Sequence, residues 1–255
     1  MSSPVNGAVA FEWSKMRTLR PMLWSLVLYV VASLALAVLT GAVVQHQYAH
    51  KPAPSSFDPI STGFSGLRLG LIALVIFGVM IVTSEYSSGT IRGSLAAVPR
   101  RGVFYAAKML TGGLAALVVS VVAVLTSFFV TQATMGDAER VSLADDGVLP
   151  ALIGAVLYTT LLCLFSMGLA ALLRSTALTM GILVPLFFTV STILTNIPGV
   201  GKVAQFLPDV AGGMVLYRHA PDGYVLDAWS GMAVLAVWTA AAGVAGYLAV
   251  RRRDA

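Results

Sequence analysis

Few residues in this chain are equipped for covalent or metal chemistry, and their spacing decides what that chemistry would be. The sharpest enzyme motif is Gly63-Phe64-Ser65-Gly66, the Gly-x-Ser-Gly pattern of an intramembrane serine protease. A serine nucleophile needs a histidine within hydrogen-bond reach at membrane depth. His46, His50 and His219 all fall in connections outside the apolar segments, and a single apolar segment precedes Ser65. Gly63 and Gly66 therefore read as turn residues before a helix, with a Ser65 protease as the enzyme alternative. His46 and His50 stand at i, i+4, a spacing that can hold a metal on a helix face, but no acidic or thiol third ligand accompanies them nearby. No metal site is expected. Cys163 is the only cysteine, so it forms no internal bridge and completes no Cys/His ligand set. Gly199-Val200-Gly201-Lys202-Val203 approaches a phosphate-cradling loop but lacks its first glycine, and Val203 stands where the metal-binding hydroxyl belongs. It reads as a turn.

The composition fixes the solvent in which these residues must be positioned. Hydrophobic residues make up 58% of the 255 and charged residues 11%, where a soluble domain carries roughly 25% charged. So few charges cannot cover the outside of a water-soluble globule, which excludes a soluble enzyme, a disordered chain and a disulfide-stapled secreted domain. A bilayer core about 30 Å thick needs ~20 mostly apolar residues per spanning helix. Six segments qualify, roughly 22–44, 65–83, 109–131, 151–173, 177–195 and 228–250, so the expected fold is all-α integral membrane, one domain over 1–255. The second is the weakest, since Leu69–Thr83 alone reaches about 22 Å; extension past Arg68 restores the length if that side chain snorkels. Pro185 is expected to kink the fifth. Ala35-Leu36-Ala37 resembles a cleavage site, but the apolar run continues to Val44, so an uncleaved first span is expected.

Lys and Arg near the span ends set orientation. Eleven of the 16 fall with the N-terminus, 84–108, 174–176 and the C-terminus, and five fall on the other side. Both termini are therefore expected in the cytoplasm. The net charge of +5 reads as this bias plus attraction to anionic membrane lipid, and nucleic-acid binding is not expected.

Three segments outside the spans are not ordinary loops. Residues 11–20 carry Glu12, Trp13 and Lys15, and Val9, Trp13 and Met16 form an i, i+4, i+7 stripe, suited to an interfacial helix or to a solvated leader with a Trp anchor. In 84–108, Ser87 or Ser88 can cap a short helix that ends before Pro99, with Ile91, Leu95 and Val98 on one face and Arg92, Arg100 and Arg101 around it. That ridge either docks in a groove of a soluble partner or lies against headgroups. Residues 196–227 are too apolar for a solvated loop. The stripe Val203, Phe206, Leu207 and Val210 suits re-entrant half-helices or an amphipathic surface helix.

The stretch Glu85-Tyr86-Ser87-Ser88-Gly89-Thr90-Ile91-Arg92, then Leu95-Ala96, Pro99-Arg100-Arg101 and Lys108, resembles the ABC-2-type permeases, the membrane subunits of ATP-driven exporters. Glu12-Trp13-Ser14-Lys15 before the first span, six spans with both ends inside, and the apolar outer segment are also similar. The resemblance implies that Glu85, Gly89, Thr90, Ile91, Arg92, Leu95, Val98, Pro99, Arg100, Arg101 and Lys108 form a cytoplasmic coupling region for an ATPase. It implies that Glu12, Trp13 and Lys15 lie on an interfacial helix beside it. It further implies two copies of a cytoplasmic ATPase subunit, a second permease chain (the same or a related one), ATP and Mg bound by the partner rather than by this chain, and a multi-pass place in the cell (plasma or inner) membrane. Glu85, at the inner end of a span, is expected to meet an Arg or a helix N-terminus.

On this resemblance the chain is a transporter permease subunit without its own ATPase site. Its spans hold many Leu, Val, Phe and Met, which favour an apolar or amphipathic cargo over a small ion. A secondary transporter or channel is the alternative; such proteins place ionisable groups inside spans, where here Tyr29, Thr126, Ser127, Tyr158, Thr159, Thr160, Ser166, Thr189 and Thr239 offer hydroxyls only. Gly66-x-x-x-Gly70, Ser166-x-x-x-Ala170 and Gly243/Gly246 are close-approach spacings with no interface assigned to them.

Overall fold

A computed structural model describes residues 4–50, 53–54, 57–91, 93–94, 100–136, 140–218 and 223–252. Every regular element among them is helical. Helix α1 spans Pro4–Thr18, and an extended Leu19 separates it from α2, Arg20–Tyr48, which admits Pro21 in its first turn where an N–H has no intrahelical use. A one-turn helix α3, Pro59–Gly63, is capped by the Asp58 carboxylate and leads into α4, Ser65–Ser87. Then come α5, Arg101–Thr134, and α6, Val148–Leu173. Helix α7 covers Thr176–Thr195, followed by the short α8, Gly201–Ala204, and α9, Pro208–Gly213, and by α10, Ala228–Arg252. Six of these, α2, α4, α5, α6, α7 and α10, are long and apolar enough to cross a membrane.

The weak second span gains length at both ends, starting at Ser65 ahead of Arg68. Helix α4 continues through Glu85 to Ser87, and its 23 residues span roughly 35 Å. Helix α5, at 34 residues, is about 51 Å long and must project beyond a 30 Å hydrocarbon layer. In α7, Pro185 lacks the N–H that its turn needs, and the chain widens into a π turn at Leu186–Val190 before resuming as α-helix.

Helices α4 and α6 are the most enclosed by the rest of the chain, whereas α7 is the least. The α2–α4 crossing depends on Gly66 and Gly70: a Cβ on Gly66 would collide with the Ser33 carbonyl, and one on Gly70 with the Ser33 hydroxyl and the Tyr29 carbonyl. Helices α6 and α10 approach equally closely, the Gly168 position lying against the Ala242 carbonyl and Gly246 against the Gly168 carbonyl. Of the small-residue spacings, Gly66/Gly70 is thus used at both positions, whereas of Gly243/Gly246 an added Cβ would be blocked only at Gly246. The core between these crossings is Leu67, Leu74, Phe77, Phe128, Leu162 and Met167, all essentially inaccessible.

The stripe Val203, Phe206, Leu207 and Val210 does not lie on one helix. Leu207 is extended and Pro208 opens α9, so the chain breaks between α8 and α9. Val203 is 73% exposed and Phe206 44%. The buried face consists instead of Ala204, Gln205, Pro208, Asp209, Ala211 and Met214, packed on α10 and α6. The segment is pinned by polar bonds: Val225 N donates to Gln205 Oε1 (2.7 Å), Trp238 Nε1 to the Phe206 carbonyl (2.9 Å), and Arg218 N to Asp58 Oδ2 (2.8 Å).

Candidate coupling site

One end of the bundle gathers α1, the last turns of α4, α6 and α10, and the first turns of α5 and α7. Arg101 donates to the Val250 carbonyl, Arg174 donates to the Ala249 carbonyl (2.9 Å) and lies over the Tyr86 ring, and Thr176 donates to the Thr83 hydroxyl (2.7 Å). The basic segments grouped together by charge in the sequence therefore meet in space.

At the centre of this end are four charged side chains. Lys108, on α5, is 3% exposed; its ammonium donates to Glu12 Oε2 of α1 (2.8 Å), to Glu85 Oε1 of α4, and to the Ile81 carbonyl (3.3 Å). Lys15, one turn beyond Glu12, pairs with the same Glu85 oxygen at 2.7 Å and donates to Ser94 Oγ at 3.4 Å. Glu12 is 4% exposed and Glu85 1%. Two carboxylates against two ammoniums leave the cluster neutral, which is what permits its burial. Phe104 stacks its ring 5.0 Å from the Lys108 ammonium. Three helices are thereby clamped together by charge.

The partners of Glu85 are lysines, not the expected arginine or helix N-terminus, because antiparallel α4 and α5 bring their charged ends together. This pairing also draws α4 onward: Ser87 and Ser88 donate to the Ser84 carbonyl and finish α4 rather than capping a new helix. In α1 the buried face is Ala8, Glu12 and Met16; Trp13 is 45% exposed, so the Val9/Trp13/Met16 stripe is not the packed face. Glu12, with no apolar side chain to bury, takes that face because it follows Lys108.

Beyond α4, Ser87, Ser88, Gly89 and Thr90 are exposed, and Gly89 takes a left-handed φ of 71° that turns the chain back. Ile91 is buried within the chain and so is not part of an exposed ridge. Arg92, Leu95, Val98 and Pro99 lie outside the described residues. Arg100 is exposed at the start of α5, and Arg100 and Arg101 line a cleft of about 660 Å³ with Tyr247 and Arg251 of α10, away from the four-charge cluster. The structure thus joins Glu12, Lys15, Glu85 and Lys108, and sets Arg100 and Arg101 apart from them. Lys15 and Glu12 as partners of the Glu85/Lys108 pair carried no spacing signal, since they lie far away in sequence.

Among the described residues the other candidate chemistry is not assembled, and His219 lies outside them. Ser65 Oγ is buried with no hydrogen-bond partner among the described residues, and His46 and His50 are exposed. Among the described residues no group of three His, Cys, Asp or Glu side chains is placed to hold a metal.

The sequence profile described as ABC-2 family transporter protein matches residues 8–196. That span contains most of α1, the first five spanning helices and the whole four-charge cluster, and stops before α8. No curated protein matches the chain. Covered by that profile over most of its length, the chain belongs to the ABC-2 family of transporter proteins, as a multi-pass membrane permease.

Proposed function

We propose that this permease is the membrane half of an ATP-driven exporter that carries an apolar or amphipathic cargo out of the cytoplasm. Two copies of a separate ATPase subunit, which would bind the ATP and Mg, energise it, and a second permease chain, the same or a related one, completes the pore. The end that holds α1 and the start of α5 faces the cytoplasm of a cell or inner membrane, in keeping with the eleven basic residues assigned to that side.

The observation that carries this reading is the buried cluster Glu12–Lys108–Glu85–Lys15. The exposed turn Ser87–Thr90 follows Glu85 directly, and Glu85 is bound through Lys108 to two other helices. A push on that turn by a nucleotide-driven subunit cannot be absorbed locally; it moves α1, α4 and α5 together as one body. The permease then performs no chemistry and supplies different cargo affinities in its two states. In the assembled complex, Thr90→Lys places a charge on the exposed turn and should reduce cargo-stimulated ATP hydrolysis by about ten-fold, the equivalent of ~1.4 kcal/mol of docking energy, with membrane insertion unchanged. Hydrolysis unaltered in both Thr90→Lys and Arg92→Ala would count against docking here.

A further inference from the structure

At the end of the bundle opposite the charge cluster, α4, α6, α7 and α9 enclose a cleft of about 480 Å³, within the range of small-molecule sites, about 300–1,000 Å³. Among the described residues its walls carry one charge of each sign. Arg68, in the first turn of α4, is exposed at the cleft; Asp209, in the first turn of α9, is 9% exposed and accepts a 2.9 Å hydrogen bond from Ser191 of α7. Among the described residues no ion pair joins them. Tyr158 lines the same cleft, and its hydroxyl donates to the Asp209 backbone carbonyl at 3.3 Å. Part of the apolar wall is Phe187 and Phe188, both on the π turn of α7, a distortion that recurs at functional sites.

The Ser191 hydroxyl and the backbone N–H groups of Asp209 and Val210 favour the carboxylate, but burial outweighs them and pushes the Asp209 carboxyl up to about 6. A cation alone would satisfy Asp209 but be repelled by Arg68, and an anion alone the reverse. A ligand that bears both charges answers both walls. We propose that this cleft binds the head of a zwitterionic amphiphile, its anionic group on Arg68 and its ammonium on Asp209, with its apolar body along Phe187 and Phe188. The proposal rests on the permease reading and narrows its cargo class to amphiphiles with an ammonium and a phosphate or carboxylate in one head.

The test uses the purified full-length chain in dodecyl maltoside and dihexanoyl phosphatidylethanolamine, a zwitterion soluble as a monomer. The expected result is saturable binding at least ten-fold tighter than that of dihexanoyl phosphatidylglycerol, which lacks the amine, and of glycerophosphoethanolamine, which lacks the acyl chains. Asp209→Asn, which keeps an acceptor for Ser191, should erase the preference for the amine. Arg68→Gln should weaken binding about ten-fold, whereas Arg68→Lys retains most of it. Equal affinity for the three probes, or an unchanged dissociation constant in Arg68→Gln, overturns the proposal; Arg68 is exposed, so its variants remain folded even if Asp209→Asn does not. No ATPase is present in this measurement. Its failure leaves ATPase docking standing, and loss of docking leaves this binding measurable.

Discussion

Lys108 answers two carboxylates on two different helices, and its loss would strand both. Taking one member from a buried ion-pair cluster leaves uncompensated charge and costs about 3–5 kcal/mol. Lys108→Met should therefore lower the thermal midpoint in detergent sharply. The double variant Lys108→Met/Glu12→Gln should lose less than the sum of its parts, because the two side chains share one contact; strict additivity in a double-mutant cycle would show that they do not interact. Asp209 behaves in the opposite sense. Its carboxyl is pushed from an ordinary 3.8 up to about 6, so the fold prefers the protonated form. The resulting stability is complete below about pH 4 and is lost as pH rises through 6. Thermal midpoints measured from pH 4 to 7 should fall with pH in the unmodified chain and flatten in Asp209→Asn. Part of this residue-level picture was legible beforehand. Glu85 and Lys108 mark the facing ends of consecutive spans, whereas Asp209, inside an apolar segment with no periodic partner, gave no sign of its burial on Ser191.

At the scale of elements, long apolar runs declared the six spanning helices, because nothing but length and hydrophobicity is needed to specify them. Their ends were harder to place. Helix α4 extends to Ser87 because Glu85 is neutralised by two lysines, a fact of tertiary contact rather than of local pattern. Pro185 did mark the distortion of α7. The stripe Val203, Phe206, Leu207 and Val210 is divided between two short helices because Pro208 ends the continuity that periodicity assumes. Small residues decide where the helices meet. At Gly70 an added side chain meets the Tyr29 carbonyl and the Ser33 hydroxyl, backbone and short groups that cannot move aside. Gly70→Ile should separate α2 from α4 and abolish a monodisperse peak on gel filtration. Gly181→Ala meets nothing within 4 Å and should leave that peak intact or sharpen it. Equal behaviour of the two variants would refute the crossing described for α2 and α4.

For the whole molecule, the two ends of the bundle are built differently. The end that holds α1 is tied by charge across α1, α4 and α5 and exposes the turn Ser87–Thr90; the other end carries the pinned segment α8–α9 and the cleft between Arg68 and Asp209. Helix α4 holds both Glu85 and Arg68 and so links the two ends. Everything in the proposed mechanism requires the turn at Thr90 to face the cytoplasm and a motor subunit. The direct measurement is thiol labelling of Thr90→Cys, with the buried Cys163 replaced by Ala to remove the native thiol. The account predicts that Thr90→Cys resists an impermeant maleimide on intact cells, reacts in inverted vesicles stripped of peripheral proteins, and is shielded again when the ATPase subunit is restored. Labelling of Thr90→Cys on intact cells would contradict it.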